Sequence, residues 1–93
     1  MTTQVTLNEA EERYEITVDG ELAGYTFAHP RADGVIAMPH TEIDPDFQGR
    51  GLATQLIQGA LDDIRSRGQK IAPTCPFILP FLAKHPEYQD LVV

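Results

Sequence analysis

Residues 44–58 read DPDFQGRGLATQLIQ, and this stretch decides the fold because it marks a turn that leads into a helix. Gly49, Gly51 and Ala53 occupy alternate positions where that helix begins. A helix N-terminus carries N–H groups without intrahelical partners and a partial positive charge, which together favour an anion. The small side chains leave the backbone open to such a group, and Arg50 would add a charge-assisted hydrogen bond. The stretch therefore predicts an anion-binding turn.

The residues that follow the turn have the periodicity of an amphipathic α-helix over 51–67. Arg65 and Arg67 fall in the last turn, where cations suit the helix dipole, and Gly68 is a natural C′ residue. The apolar stripe consists of Leu52, Ala53, Leu56, Ile57, Ala60, Leu61 and Ile64.

The residues before the turn have the periodicity of strands. Over 13–28, RYEITVDGELAGYTFA alternates apolar and polar residues around Asp19-Gly20, which predicts a β-hairpin with a type I′ turn. VIAMPHTEI, at 35–43, predicts a third strand in which Pro39 demands an edge, a bulge or a broken ladder. If the period of two continues past the proline, two pairs of side chains lie on opposite faces: His40 with Glu42, and Thr41 with Ile43.

The C-terminal third predicts a short strand and a second helix. KIAPT at 70–74 is the strand, and a helix over 76–84 begins with Pro76 at its first position and with Cys75 or Thr74 as its cap. Pro80 would kink or shorten this helix. The tail would add a short strand or pack Tyr88 and Leu91. The order β-β-β-α-β-α predicts an α+β fold, mainly an antiparallel sheet of four to five strands with two helices.

Length and composition limit the class of protein. The 93 residues predict one domain over 1–93, with an ordinary globular content of 42% hydrophobic residues. The net charge of −7 argues against nucleic acid, and the longest apolar stretches are too short for a membrane span. The single Cys75 and the absence of a recognisable signal peptide predict a cytoplasmic protein.

The charge is also unevenly distributed along the chain. Residues 1–47 carry ten acidic and two basic residues, whereas residues 48–93 carry four acidic and five basic residues. One half would therefore suit a cation and the other an anion. A metal site is not predicted, because His40 and Glu42 have no evident third and fourth ligands.

Competing phosphate-binding motifs fit the turn poorly. A P-loop requires Gly-Lys-Ser/Thr, and no lysine lies between Gly51 and Arg65. The dinucleotide fingerprint would need a glycine at Thr54 and a preceding parallel βαβ unit, whereas hairpins come before this turn. A bare helix cap without a ligand remains the structural alternative.

The stretch IDPDFQGRGLATQLI resembles motif A of the GNAT superfamily of acyl-CoA N-acyltransferases, which has the form R/Q-x-x-G-x-G/A after a strand. Gln48, Gly51 and Ala53 occupy its three defined positions. The combination of HTE (40–42), CPF (75–77) and HPEY (85–88) is further similar to the compact YjdJ-type, or N-acetyltransferase domain-containing protein 1, group. The resemblance implies a minimal GNAT-like fold that binds acetyl-CoA or another form of coenzyme A. The cofactor-binding residues it implies are Ile43, Gln48, Gly49, Arg50, Gly51, Leu52, Ala53 and Thr54.

The same resemblance implies residues for the chemistry. Such enzymes deprotonate an amine that attacks the thioester directly, and Glu42 lies on the strand that would run beside pantetheine, so it is the candidate base. His40 would share that task or relay a proton through water. Cys75 would lie close to the acyl group, either as a nucleophile or as a contact to the CoA sulfur. The alternatives are that Glu42 satisfies neighbouring polar groups and that Cys75 is a buried packing residue.

The chain also departs from the family pattern. FILPFLAK, at 77–84, lacks the general-acid tyrosine of many members, and Tyr88 would replace it only if the chain folds back. The usual helices around the acceptor site are missing. We therefore predict an N-acetyltransferase that acts on an amine of unknown identity, on a small molecule or a protein, as a monomer or homodimer. The alternative is a non-catalytic CoA-binding or protein-interaction module.

Overall fold

The computed structural model describes residues 2–93, and its first strand lies where the sequence predicted none. Strand β1, Thr3–Asn8, pairs antiparallel with β2, Arg13–Val18. β1 has only two apolar side chains, Val5 and Leu7, and both are partly buried against the core. So short an apolar pattern is a weak strand signal, and the strand forms because it extends an existing sheet.

The predicted hairpin is present. β2 connects to β3, Glu21–Phe27, through a turn in which Asp19 has φ 50° and Gly20 has φ 87°. Positive φ at both central positions defines the predicted type I′ turn. The two strands place their apolar residues toward the core, and Tyr14, Ile16 and Val18 are all buried.

The third predicted strand is divided at Pro39, and the division creates two sheets. After a short strand β4, His29–Pro30, come β5, Val35–Met38, and β6, Thr41–Ile43. β6 pairs antiparallel with β3, whereas β5 pairs in parallel with β7, Lys70–Pro73. The sheet orders are β1-β2-β3-β6 and β4-β5-β7. The predicted broken ladder is therefore confirmed, and the two sheets separate beyond the proline.

The predicted amphipathic helix is α1, Leu52–Ser66. Its apolar face packs on the four-stranded sheet, and a Cβ added at Gly59 would lie 2.9 Å from the Val5 side chain. Gly68, with φ 69°, ends the helix as predicted, and its N–H donates to the Arg65 carbonyl at 3.0 Å. The buried residues of the helix are Leu52, Leu56, Ile57, Ala60, Leu61 and Ile64.

The C-terminal third contains α2, Ile78–Lys84, and a 3-10 helix, Pro86–Leu91. α2 begins two residues later than predicted, after a turn in which the Cys75 carbonyl accepts the N–H groups of Ile78 and Leu79. The tail packs Tyr88 and Leu91 into the core, as one of the two alternatives predicted, and it forms a single bridge from Val92 to Ile71 in place of a terminal strand. The architecture is the predicted α+β fold with mainly antiparallel pairing.

Candidate functional site

The turn between β6 and α1 is built by two side-chain hydrogen bonds. Asp44 Oδ1 accepts the N–H of Asp46 at 2.9 Å and so caps the 3-10 helix Pro45–Phe47. Gln48 Nε2 donates to the Ile43 carbonyl at 3.3 Å, which ties the turn back to the end of β6. These contacts fix the direction in which the chain enters α1.

The turn uses glycine at two positions because their backbone is left-handed. Gly49 has φ 80° and Gly51 has φ 72°, a region that other L residues rarely adopt. A Cβ added at either position would meet no atom within 4 Å, so the protein's own side chains do not fill this bend. Such a Cβ would instead project into the space in which the sequence predicts an anion.

The same turn presents main-chain donors. Gly51 is the N-cap of α1 and makes no side-chain capping bond. The helix ladder starts at the Gln55 N–H, which donates to the Gly51 carbonyl at 3.4 Å, and the amides of Leu52, Ala53 and Thr54 precede that bond. The Arg50 guanidinium lies 5.4 Å from the centre of the Phe47 ring and adds a positive charge next to the turn.

Two grooves meet at this turn. One, of about 320 Å³, lies along the predicted cofactor-binding residues from Ile43 to Thr54, and the other, of about 490 Å³, follows β6 and β3. Ile43, Gln48 and Phe77 line both grooves, so the space is continuous. It occupies the gap in which β6 separates from the segment after β7. Half of the Phe77 side chain remains exposed there, at 51%.

The edge of β6 that faces the gap carries backbone groups without a strand partner. The His40 carbonyl accepts the Phe27 N–H and the Asp44 N–H donates to Ala23, so these residues direct their backbone toward β3. Backbone groups alternate between the two edges of a strand, which directs the N–H of Ile43 toward the gap. An acyl carbonyl in this groove would find a donor there.

Glu42 lies on the wall of the groove with two polar neighbours. The Tyr25 hydroxyl donates to Glu42 Oε2 at 2.6 Å, and His40 Nε2 lies 3.7 Å from the same oxygen. The hydrogen bond from Tyr25, and to a lesser extent the charge of His40, lower the pKa of Glu42. The same hydrogen bond raises the pKa of Tyr25. His40 and Glu42 share the exposed face and Thr41 and Ile43 the buried one, as predicted.

Cys75 lies behind this wall rather than on it. Its side chain is completely buried, and its thiol donates to Thr41 Oγ1 at 3.2 Å. The Phe77 N–H donates to Cys75 Sγ at 3.4 Å, and the Thr41 and Thr26 hydroxyls are 2.8 Å apart. The sulfur thus belongs to a buried polar cluster between β6 and the start of α2. This placement favours a packing role over a nucleophilic one.

Tyr88 also has a structural position. Its hydroxyl donates to Asp62 Oδ1 of α1 at 2.6 Å, and its ring is tilted against Phe81 at 5.7 Å. Burial and the hydrogen bond to the Asp62 carboxylate raise the pKa of Tyr88 to about 12. The chain does fold back, but this hydroxyl is held by the helix and does not line the groove at Glu42.

Tyr25 is a site residue that the sequence did not predict. It faces outward on β3 and is the direct partner of Glu42 across the sheet. The alternation of the hairpin placed Tyr25 on a strand, but its partner depends on the β3–β6 pairing, which no local pattern reveals.

Within residues 2–93, no helix is long and apolar enough to cross a membrane, and no three His, Cys, Asp or Glu side chains are grouped as a metal site.

Comparison with known sequences identifies one protein family. The profile of the family described as GCN5-related N-acetyl-transferase matches residues 13–91. Protein NATD1 from Bos taurus is 32% identical over 57 residues, which are 61% of this chain and 50% of that protein. This chain therefore matches about half the length of that relative.

Solved structures share the fold. A GCN5-like protein from Staphylococcus aureus superposes with a TM-score of 0.71 at 20% identity, covering 97% of this chain and 87% of that one. The ribosomal-protein-alanine N-acetyltransferase from Brucella melitensis biovar Abortus 2308 has a TM-score of 0.56 at 21% identity over 87% of this chain and 60% of that one. AAC(6')-Iy, in complex with the bisubstrate analog CoA-S-monomethyl-acetylneamine, has a TM-score of 0.52 at 23% identity over 83% and 59%.

Proposed function

Because this chain belongs to the GCN5-related N-acetyltransferase family, we propose that it binds acyl-CoA, with acetyl-CoA as the first candidate, and transfers the acyl group to an amine. The observation that carries the proposal is the open turn at Gly49 and Gly51, where left-handed backbone, unfilled space and uncapped helix amides coincide. These features suit a diphosphate.

The turn would hold the pyrophosphate of coenzyme A. Its oxygens would accept hydrogen bonds from the main-chain amides that precede the α1 ladder, while the helix dipole and Arg50 supply positive charge. Gln48 keeps the turn in place through its bond to Ile43. The residues that we assign to the cofactor are Ile43, Gln48, Gly49, Arg50, Gly51, Leu52, Ala53 and Thr54.

The gap between β6 and the segment before α2 would hold the acyl end. The bound thioester supplies an activated acyl carbon, and the Ile43 N–H at the open edge of β6 would stabilise negative charge on its oxygen. The amine nitrogen would bond to the acyl carbon as the carbon–sulfur bond breaks, and the CoA thiolate would leave and take a proton from solvent. The protein must then accept the proton that the amine loses.

Glu42 is the group that we assign to that proton. Its lowered pKa keeps the carboxylate ionised at neutral pH but also makes it a weak base. It would therefore take the proton as the new bond forms, when the N–H becomes acidic. His40, 3.7 Å away, would help relay the proton through water, and Tyr25 would position the carboxylate.

One observation favours the alternative of a CoA-binding or protein-interaction module. His40 and Glu42 are 52% and 58% exposed, and the outward face of the four-stranded sheet has no covering helix among residues 2–93. An acceptor would then be a large partner, or a second copy would complete its site. Saturable transfer to a defined amine favours the enzyme, whereas CoA binding without any transfer favours the module.

The decisive experiment is a titration with CoA and with acetyl-CoA while backbone amide shifts are recorded. We expect large shifts at 43–54 and within 71–77, because most of the first segment and Phe77 of the second line the two grooves. If neither segment responds to a millimolar excess of either compound, the proposal is wrong. Transfer to amines is then measured with acetyl-CoA and a panel of small amines and lysine-containing peptides.

We further propose that the protein acts in the cytoplasm as one domain over 1–93. Cys75 is its single cysteine and has no disulfide partner, which is typical of proteins in a reducing compartment. For its oligomeric state we retain the predicted monomer or homodimer, which sedimentation with and without CoA would distinguish.

A further inference from the structure

A row of aromatic side chains extends from Glu42 across the outward face of the four-stranded sheet. Tyr25, Phe27 and His29 alternate with buried residues, so they share this face, and each is partly exposed. The ring centre of Phe27 lies 5.2 Å from that of Tyr25 and 5.2 Å from that of His29. The His40 ring, next to β6, lies 6.2 Å from Phe27. We call these four rings the aromatic strip.

The aromatic strip begins inside the groove that would hold the acyl end of the cofactor. Tyr25 and His40 line this groove of about 490 Å³ together with Glu42, and Phe77 lines it on the other side. Phe27 contacts both Tyr25 and His40, so it continues the apolar surface directly beyond the groove. An amine that reacts at Glu42 would therefore place the rest of its molecule against these rings.

Polar contacts hold the rings of the strip in place. Glu42 Oε2 accepts the Tyr25 hydroxyl at 2.6 Å, and His29 Nδ1 lies 2.9 Å from Glu12 Oε1. The Arg13 guanidinium lies over the Tyr25 ring, 4.4 Å from its centre. Side chains that are already ordered lose little conformational entropy when a ligand binds. The strip is therefore a preformed surface for a flat apolar group.

The charges on either side of Phe27 would orient a cationic ligand. Arg13 is the partner of Phe27 on β2, and Glu42 is the partner of Tyr25 on β6. A protonated amine is repelled by the guanidinium on one side and attracted by the carboxylate on the other. Phe27 and Glu42 are diagonal neighbours in the sheet, a separation of roughly 7–8 Å between backbones. A spacer of about two or three bonds would join a ring at Phe27 to a nitrogen at Glu42.

We propose that the acceptor is an arylalkylamine, a primary amine on a short spacer from an aromatic ring, and that Phe27 determines this specificity. The inference rests on the proposed function and names the substrate class of the same site. The ring of the acceptor packs on the aromatic strip while its nitrogen lies at Glu42. Acyl transfer then converts the amine and acyl-CoA into the N-acyl amide and free CoA.

Steady-state transfer from acetyl-CoA to phenethylamine and to cyclohexylethylamine tests the role of Phe27. The two amines have the same spacer and similar size, but only one can make the ring–ring contact. In Phe27→Leu, the ratio of their kcat/KM values should fall about two- to tenfold, the range of one aromatic pair. The change should lie in KM for phenethylamine, with kcat retained. Comparison of this ratio between two proteins cancels the difference in basicity of the amines.

Leu79→Ala is the control variant. Leu79 is an exposed apolar side chain on α2, away from the aromatic strip, so the ratio should stay at the wild-type value. A second measurement needs no variant. When phenethylamine is added to wild type saturated with CoA, the ring resonances of Tyr25 and Phe27 should shift. Those of the buried Phe81, which stacks on His85, should not.

The outcomes separate this inference from the proposed function. An unchanged ratio in Phe27→Leu, or ring resonances that do not respond to phenethylamine, overturns the inference while acyl transfer stands. Transfer to a lysine-containing peptide with a higher kcat/KM than to phenethylamine assigns the strip to a polypeptide and also overturns it. So does binding of CoA without transfer to either small amine. If the protein binds neither CoA nor acetyl-CoA at millimolar excess, the proposed function fails and the inference fails with it.

Discussion

The Tyr25 hydroxyl donates a 2.6 Å hydrogen bond to Glu42, and this contact joins the outward face of the β2–β3 hairpin to the wall of the candidate site. The two residues are direct partners in the β3–β6 ladder, so the contact is a product of strand register. It stabilises the ionised carboxylate and is the main cause of the lowered pKa of Glu42. Register in this sheet therefore determines the acidity of the proposed base.

Tyr25→Phe should shift the pH dependence of acyl transfer. Without the hydrogen bond, the pKa of Glu42 rises toward its ordinary value, so Glu42 becomes protonated at a higher pH. The acid limb of kcat/KM, which reports the base of the free enzyme, should move to higher pH. A pH–rate profile measured on both proteins checks this. An acid limb that stays in place would show that Glu42 is not the titrating group.

Glu42→Gln should reduce acyl transfer by about a hundredfold or more, since an amide cannot accept the proton of the amine. Binding of CoA, followed by calorimetry, should stay close to that of wild type because Glu42 lies away from the glycine turn. Glu21→Gln, on the exposed start of β3, is a control of equal charge. Full transfer by Glu42→Gln to every amine tested would remove Glu42 from the mechanism.

Gly51→Ala should abolish tight cofactor binding, and Gly20→Ala should not. Both glycines have positive φ, 72° and 87°, and neither has an atom within 4 Å of an added Cβ. Each substitution should cost about 1–2 kcal/mol of stability because alanine disfavours this backbone. Only Gly51→Ala places a methyl group in the space assigned to the pyrophosphate, so its Kd for CoA should rise more than about tenfold.

Comparison of the two variants by urea unfolding and by calorimetry separates strain from contact. Equal losses of stability with unequal losses of CoA binding support the assignment of the turn. If CoA binding weakens equally in both, the effect of Gly51→Ala comes from folding alone, and the turn is not the binding site.

Cys75→Ala should lower stability by about 1 kcal/mol, because it removes a buried thiol and its bond to Thr41. Acyl transfer should remain, and intact-mass measurement after incubation of wild type with acetyl-CoA should show no acetyl group on Cys75, whose side chain is completely buried. An adduct on Cys75 together with loss of transfer in Cys75→Ala would instead establish the nucleophilic role that the sequence suggested.

Tyr88→Phe should make the protein less sensitive to alkali. The pKa of Tyr88 is raised from 10.0 to about 12, so the neutral form is favoured in the folded state. The contribution of Tyr88 to the free energy of unfolding is complete below pH 10 and is lost as pH rises through 12. Urea unfolding across that interval should show a steep loss of stability in wild type and a smaller one in Tyr88→Phe. Tyr14, whose pKa is also raised by burial and Asp63, accounts for part of what remains.

The parts of the fold that the sequence predicted correctly depend on local rules. The stripe of α1, the glycine after it, the turn at Asp19-Gly20 and the interruption at Pro39 each follow from residues near one another in the chain. β1 was not predicted because Val5 and Leu7 are its only apolar residues. Its stability comes from pairing with β2 and from contact with Gly59, more than fifty residues away.

The candidate site shows the same division. The glycine turn is local, and the resemblance to motif A led directly to it. The Tyr25–Glu42 contact and the burial of Cys75 against Thr41 both join distant segments. No pattern within one segment specifies such contacts, because they depend on how the strands pair and on where α2 packs.

The interruption at Pro39 has a consequence for the kinetics of ligand entry. Before the proline, the Met38 carbonyl accepts the N–H groups of Thr74 and Cys75; after it, the His40 carbonyl accepts the N–H of Phe27. The chain therefore bonds to one sheet before the proline and to the other sheet after it. The proline nitrogen carries no hydrogen with which the ladder might continue. A ligand that enters the gap between the two sheets has no interstrand backbone hydrogen bonds to break. The observed rate constant of association, measured by stopped flow, should therefore rise linearly with ligand concentration, without a plateau set by an opening step.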